Sequence, residues 1–278
     1  MKNSYKTLRL IMGDQLNASH SWYGQSDDSV LYVIAELHQE ASYVKHHVQK
    51  IAAFFLAMQA FANALKKANH NVLHLTLDET AGYQDLPDLL HQLCIKFQIT
   101  HLQYQRPDEY RLLSQLANMK SQGPKITYAC VDTEHFIVPF ETLKKYFSAG
   151  KATRMENFYR KIRTQHQILM EDDQPLGGQW NYDVDNRNKL KKADLAEIPA
   201  PLLFDNKVSA VLERLAAHKI EHFGEIGDVL IWPVTRGQSL QLLDYFCEHG
   251  LPQFGRFQDA MTGKSEHAWS CLLYTSPS

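Results

Sequence analysis

The sequence contains no C-x-x-C pair. Its four cysteines, Cys94, Cys130, Cys247 and Cys271, stand far apart, which argues against a zinc site or a disulfide framework and leaves them as buried or incidental thiols. No G-x-G-x-x-G follows the first apolar run, and no G-x-x-x-x-G-K-[ST] occurs anywhere, so the dinucleotide fingerprint and the Walker loop are both missing. Residues 1–7 are polar with no leader-like apolar segment after them, and no apolar run approaches the length of a membrane span. The expected compartment is therefore the cytoplasm, without membrane association. There is no internal repeat and no low-complexity tract. An excess of one charge is also lacking: 29 Lys and Arg against 31 Asp and Glu leave a net charge of −2. Any nucleic-acid surface must then be a local patch.

What is present is an ordinary globular composition, 44% hydrophobic and 22% charged over 278 residues, enough for one large domain or two smaller ones. Short apolar runs at 8–12, 30–35, 72–77, 101–105 and 126–131 read as buried strands, and they alternate with helical patterns at 43–68, 86–97 and 108–119. The longest pattern carries Val44, Val48, Ile51, Phe55, Met58, Ala62 and Leu65 at spacings of three and four, which draws one apolar stripe toward a core. Strands separated by helices predict an α/β domain over 1–135, a mostly parallel Rossmann-like sheet with helices on both faces. Beyond Pro139 the strand signal disappears. Helices are predicted over 139–148, 154–170, 207–222 and 237–249, with a long, weakly periodic connection over 171–205.

Two groups of residues carry chemistry. Gly13, Asp14, Gln15 and Glu36 fall just past predicted strands, where open α/β sheets bind ligands. Glu40, Tyr43, His46, His47 and Lys50 follow, and the spacing of four and three puts Tyr43, His47 and Lys50 on one predicted helix face. Taken singly, the first group reads as a strand-terminal turn and His46-His47 as an exposed helix start without a third metal ligand.

The second group spans 154–187. Residues 151–163 hold five basic side chains, Arg154, Arg160, Arg163 and two lysines, against the single acid Glu156. Phe158 and Tyr159 are interleaved, and Gly177-Gly178-Gln179-Trp180-Asn181-Tyr182-Asp183 and Arg187 follow, so phosphate contacts and stacking surfaces lie side by side. The alternative is a solvated charged helix with an ordinary buried tryptophan loop, Trp180 serving as an interface plug.

Three stretches settle the family expectation: Arg154-Met155-Glu156-Asn157-Phe158-Tyr159-Arg160; Pro175-Leu176-Gly177-Gly178-Gln179-Trp180-Asn181-Tyr182-Asp183 with Asn186-Arg187; and Phe254-Gly255-Arg256-Phe257-Gln258-Asp259-Ala260-Met261. Together with Gly13-Asp14-Gln15-Leu16 and Glu40-Ala41-Ser42-Tyr43-Val44-Lys45-His46-His47, they resemble the iron–sulfur bacterial cryptochromes and photolyases, also called deoxyribodipyrimidine photolyase-related proteins, of the (6-4) type. The likeness runs from about residue 8 to about residue 270.

That resemblance implies an antenna domain over 1–135 holding 6,7-dimethyl-8-ribityllumazine on Asp14, Gln15, Glu36, Glu40, Tyr43 and Lys50. It implies a basic helix and interdomain linker over 136–206, with Arg154, Arg160, Arg163, Trp180, Asn181 and Arg187 toward ultraviolet-damaged DNA. It also implies that 207–270 begins an all-α flavin-binding domain whose FAD and [4Fe–4S] ligands lie farther on. The register departs from the family at 271–278, so the sequence is expected to be an amino-terminal fragment with a non-native tail, inactive alone and monomeric. A blue-light photoreceptor without repair, and a nucleotide-binding α/β module unrelated to light, are the competing functions.

Overall fold

The structure is a computed structural model that describes residues 4–119 and 126–260. The expected non-native tail over 271–278, Cys271 and Met261 lie outside the described residues. The chain divides into two compact units, Met1–His135 with Leu203–Ser239, and Phe136–Leu202 with Leu240–Ser278.

In the first unit the chain runs through β1 (Thr7–Leu10), β2 (Val30–Ala35), α1 (His38–Ser42), β3 (His46–His47), α2 (Val48–Lys67), β4 (Val72–Leu75), α3 (Leu77–Thr80), α4 (Leu86–Lys96), β5 (His101–Gln105), α5 (Tyr110–Asn118) and β6 (Thr127–Val131). β4, β2, β1, β5 and β6 lie side by side in that order as one parallel sheet, as the alternation of strands and helices predicts. Side chains of β2 alternate between two core layers. Val30, Tyr32 and Ile34 join one layer with Ile51, Phe55 and Met58 of α2, while Leu31 and Val33 join the other with Leu89 and Leu93 of α4 and Leu116 of α5. Both faces of the sheet are thus covered, which is why β2 reads as a continuous apolar run rather than an alternating one.

The long helix differs from its prediction at the front. Residues 43–47 are not helical: Tyr43 ends α1, and His47 is extended, with φ −67° and ψ 135°, pairs as part of β3, and caps α2 by accepting from Gln49 N. Val44 is accordingly exposed rather than part of the stripe, whereas the other six stripe positions are buried. At 20 residues and a mean hydropathy of 1.3, α2 also has the length and composition to cross a membrane, contrary to the expectation of no such run. Its stripe packs into the sheet instead.

The second unit opens with a 3-10 helix, Phe140–Lys145, and continues through α6 (Met155–Gln165), the two-residue ladder of β7 (Met170–Glu171) and β8 (Gln174–Pro175), and α7 (Lys192–Ala196). The predicted helix over 154–170 stops early because Gln167 and Leu169 adopt left-handed φ values of 53° and 50°. The predicted plain connection over 171–205 contains β8 and α7.

Residues 203–239 then rejoin the first unit, as β9 (Asn206–Lys207), α8 (Ser209–Ala217), β10 (His222–Phe223), β11 (Val229–Leu230) and the start of α9 (Arg236–Tyr245). This corrects the expectation that 207 begins a separate helical domain. Val211 and Leu215 of α8 are each 2% exposed in the layer built on α2, and burial of such side chains contributes about 1.5–3 kcal/mol each. β10 pairs with β3, which is also what holds 46–47 extended. After α9 the chain makes a π-helical turn, Phe246–Gly250, and ends its described part with α10 (Leu251–Phe257) in the second unit.

Glu36 and Arg214 lock this return in place. The Glu36 side chain is fully buried, and its carboxylate accepts from Arg214 Nη2 at 3.0 Å, Arg214 Nε at 3.2 Å and Leu77 N at 3.0 Å. Burial pushes the Glu36 carboxyl up, and Arg214 opposes that shift. Removing Arg214 leaves a buried carboxylate without its counter-charge, so Arg214→Met is expected to cost about 3–5 kcal/mol in urea unfolding at neutral pH. A carboxyl with a raised folded pKa loses stability as pH rises through that pKa. The Arg214→Met deficit should therefore grow as pH rises above the ordinary carboxylate range, and Glu36→Gln added to it should remove that pH dependence.

Candidate functional site

A cavity of about 300 Å³ lies at the carboxyl ends of β1 and β2, beside the start of α5. It sits where the sheet order reverses between β1 and β5, the usual ligand position of an open α/β sheet. The floor is apolar, from Leu10, Ile11, Ile51, Phe55 and Met58. Phe54 closes one side and is 38% exposed. Gly13 is required by this packing: a Cβ there would lie 2.7 Å from Phe54 Cδ1 and 3.1 Å from Met58 Sδ.

The polar groups stand at the rim. Asp14 lines the cavity, and its carboxyl is pushed up by burial, with a smaller contribution from Asp108. Lys50 and His46 line it too, and burial together with the Lys50 charge holds the His46 ring below the ordinary histidine range. Glu40 grips Arg111 through two bonds, Nη2 to Oε2 at 2.7 Å and Nη1 to Oε1 at 3.0 Å. Arg111 also donates to Glu109, at 2.9 Å, and its guanidinium lies 4.3 Å from the centre of the Tyr43 ring. Tyr43 in turn meets His46 edge-on at 5.0 Å. These links tie α1 to α5 and give the rim a set order of carboxylates, phenol and imidazole.

Of the six residues expected to bind a small molecule, five line this cavity: Asp14, Glu36, Glu40, Tyr43 and Lys50. Gln15 does not. It is 1% exposed, donates to the Gln105 and Arg106 carbonyls and accepts from Met12 N, so it fastens the turn rather than facing the cavity. Glu36 reaches the lining, but its carboxylate is committed to Arg214 and Leu77. Tyr43, His47 and Lys50 do not share one helix face, because the helix begins only at Val48, yet Tyr43 and Lys50 still meet at the cavity. Phe54 and Arg111 were not legible as site residues. Phe54 stands off the apolar stripe of α2 as an exposed aromatic, the one sequence signal available, and Arg111 is brought in by α5 from 71 residues beyond Glu40.

In the second unit the basic stretch is less free than its composition suggests. Arg163 is 7% exposed and donates to the Ile168 carbonyl at 2.9 Å, the Leu169 carbonyl at 2.6 Å and Tyr159 Oη at 3.2 Å. It therefore holds the left-handed turn after α6 and is corrected from a surface contact to a structural one. Arg160 pairs with Glu156 at 2.8 Å, and its guanidinium lies 5.2 Å from the centre of Trp180, with Arg163 at 5.6 Å. Trp180 is thus half-buried against two cations rather than standing free. Arg154, at the amino end of α6, and Asn181 are exposed, and Arg187 is exposed while pairing with Asp259 at 3.4 Å.

This division of labour has a direct test in urea unfolding. Arg163→Met removes three hydrogen bonds from a buried cation and is expected to cost about 2–4 kcal/mol. Arg160→Ala loses an exposed pair and its contact with the Trp180 ring, and should cost less, about 0.5–1 kcal/mol.

The chain is 29% identical over 265 residues to a (6-4) photolyase of Agrobacterium fabrum (strain C58 / ATCC 33970), an alignment covering 91% of this chain and 50% of that protein. It therefore spans about half the length of that relative. It is also 24% identical over 196 residues to the uncharacterized protein R852 of Acanthamoeba polyphaga mimivirus, covering 66% of this chain and 95% of that one. Among solved structures, a Synechocystis sp. PCC6803 cryptochrome matches with a TM-score of 0.41 and 14% identity, over 62% of this chain and 36% of the other. A bacterial class III photolyase from Agrobacterium tumefaciens matches with a TM-score of 0.34 and 11% identity, over 48% and 26%. The sequence model of the deoxyribodipyrimidine photo-lyase-related proteins matches residues 9–230, from β1 through the cavity to β11, and the chain belongs to that family.

Proposed function

We propose that this chain carries the antenna-binding unit and part of the DNA-facing surface of a light-driven lyase that repairs ultraviolet-damaged DNA, with (6-4) pyrimidine photoproducts as the lesion. The lesion class rests on the alignment with a (6-4) photolyase over 91% of the chain. The antenna reading rests on one observation, the cavity at the reversal of the sheet.

That cavity suits 6,7-dimethyl-8-ribityllumazine in its chemistry. Its apolar lining, with the partly exposed Phe54 ring on one side, offers a surface to a flat ring, and Asp14, Glu40, Tyr43 and Lys50 offer hydrogen bonds to a polyol. Bound there, the lumazine would supply light absorption. The chain's own residues bind it, orient it and keep water from its ring. Flavin and a [4Fe–4S] cluster belong to the whole lyase in this reading, supplying light-driven electron transfer. No residue here is assigned to either group.

The antenna reading is tested by adding ribityllumazine to the purified chain and following its near-ultraviolet absorbance through gel filtration. Co-elution is expected, with loss of at least about tenfold in affinity for Gly13→Val, whose side chain would displace the Phe54 ring that lines the cavity, and for Glu40→Ala with Tyr43→Phe. Equal retention by all three proteins would count against the site.

The DNA reading now centres on Arg154, Arg160 and Lys161, the exposed cations of α6 and its amino end. Replacing Arg154 and Arg160 with Ala should weaken binding to damaged and undamaged duplex alike. Two lost phosphate contacts should also flatten the slope of log K against log salt by about 1.8. An unchanged slope would remove these residues from the interface.

A further inference from the structure

The second unit holds a cavity of about 500 Å³ whose interior the phosphate contacts of α6 do not explain. Three aromatic rings line it, those of Tyr159, Trp180 and Tyr182. Each is held by a polar neighbour. Trp180 lies against the guanidinium groups of Arg160 and Arg163, and Tyr159 Oη accepts from Arg163. Tyr182 Oη donates to the Gly177 carbonyl at 3.0 Å, at a glycine with φ 82° where a Cβ would collide with that same oxygen.

One polar group in this wall is incomplete. Asn186 is 9% exposed and lines the cavity, yet its Oδ1 is buried and accepts no hydrogen bond. Its backbone is anchored, with the Asn186 carbonyl accepting from Asp259 N at 3.0 Å. A buried acceptor without a donor is rare in a folded protein and calls for a partner. Asn181 and Gln258 add two further amides to the lining. Glu156 and Asp183, also in the lining, disfavour a phosphate inside, while Arg163 spends Nε, Nη1 and Nη2 on bonds within the fold.

We propose that this cavity receives one unpaired nucleobase, which lies against the aromatic wall and donates a ring or exocyclic N–H to Asn186 Oδ1 while its phosphate stays outside. Flat aromatic surfaces accept any base, and amides read its polar edge. The inference rests on the DNA-facing reading for the source of the base, an unpaired strand; a free nucleoside is the other source with the same chemistry.

The test uses the full chain, a fluorescein-labelled short single strand read by anisotropy, thymidine and deoxyguanosine read by equilibrium dialysis, and thermal melts of each variant. Asn186→Leu should weaken the single strand roughly tenfold while holding or raising Tm, because an unsatisfied buried acceptor is removed. Trp180→Leu should weaken it by a similar factor. Should Asn186→Leu fail to fold, Asn186→Ala carries the same comparison. Single-strand affinity that is equal in the parent and the Asn186 variant overturns the base pocket and leaves the DNA reading standing, and a lowered Tm beside that equality marks Asn186 as structural or water-bridged. Nucleoside binding that depends on Asn186, without strand binding, supports the pocket and sinks the DNA-facing reading. No binding of strand or nucleoside overturns both.

Discussion

The ion pair between Glu36 and Arg214 is the constraint on which the first unit depends. Glu36 ends β2 at the lip of the sheet cavity, and besides Arg214 it accepts from Leu77 N with its side chain and from Thr80 Oγ1, at 2.7 Å, with its carbonyl. One buried residue thereby joins β2, α3 and α8, elements separated by up to 178 positions in sequence. Burying a carboxylate is costly unless its counter-charge and hydrogen bonds are in place, so the fold tolerates Glu36 only when 203–239 has docked. The cavity wall and the returning segment are then consequences of the same electrostatic requirement.

The two cavities use opposite arrangements of charge. At the sheet, cations and carboxylates face the rim, where Arg111 orders Glu40, Glu109 and Tyr43 around an apolar floor. In the second unit Arg163 belongs to the lining but spends its N–H groups on the fold, and rings and amides share the wall with the carboxylates of Glu156 and Asp183. The first arrangement suits a ring with a polyol tail. The second suits a base whose charged backbone remains outside. A basic composition over 151–163 therefore overstates the positive charge on offer at the surface, since Arg163 is interior and Arg160 is shared with Glu156.

The α/β layout was legible in the sequence because buried parallel strands must be apolar on both faces and the helices between them must carry a stripe. The runs at 30–35 and 101–105 and the stripe from Val48 to Leu65 correspond to β2, β5 and α2 with little change. The polar residues that gather at the carboxyl edge were legible for the same reason, as Asp14, Glu40, Tyr43 and Lys50 follow directly from where the strands stop. What a side chain does once it arrives was not legible. Gln15, Glu36 and Arg163 look like ligand contacts by type and position, and each is consumed by partners that lie elsewhere in the chain or across a turn.

Sequence by itself thus determined the succession of elements along the first unit, the apolar stripe of its longest helix, and that the chain belongs among the photolyase-related proteins. Only the tertiary structure decided that His46-His47 is extended, because its pairing partner, His222-Phe223, is 176 residues away. The same holds for the docking of 203–239 on the α/β unit, which helical periodicity cannot distinguish from the start of a new domain. It holds also for Arg111 and Asn186, whose roles come from a carboxylate and a cavity that no local pattern announces. Local periodicity reports which face of an element avoids water, whereas the pairing of charges and the filling of cavities depend on contacts between segments distant along the chain.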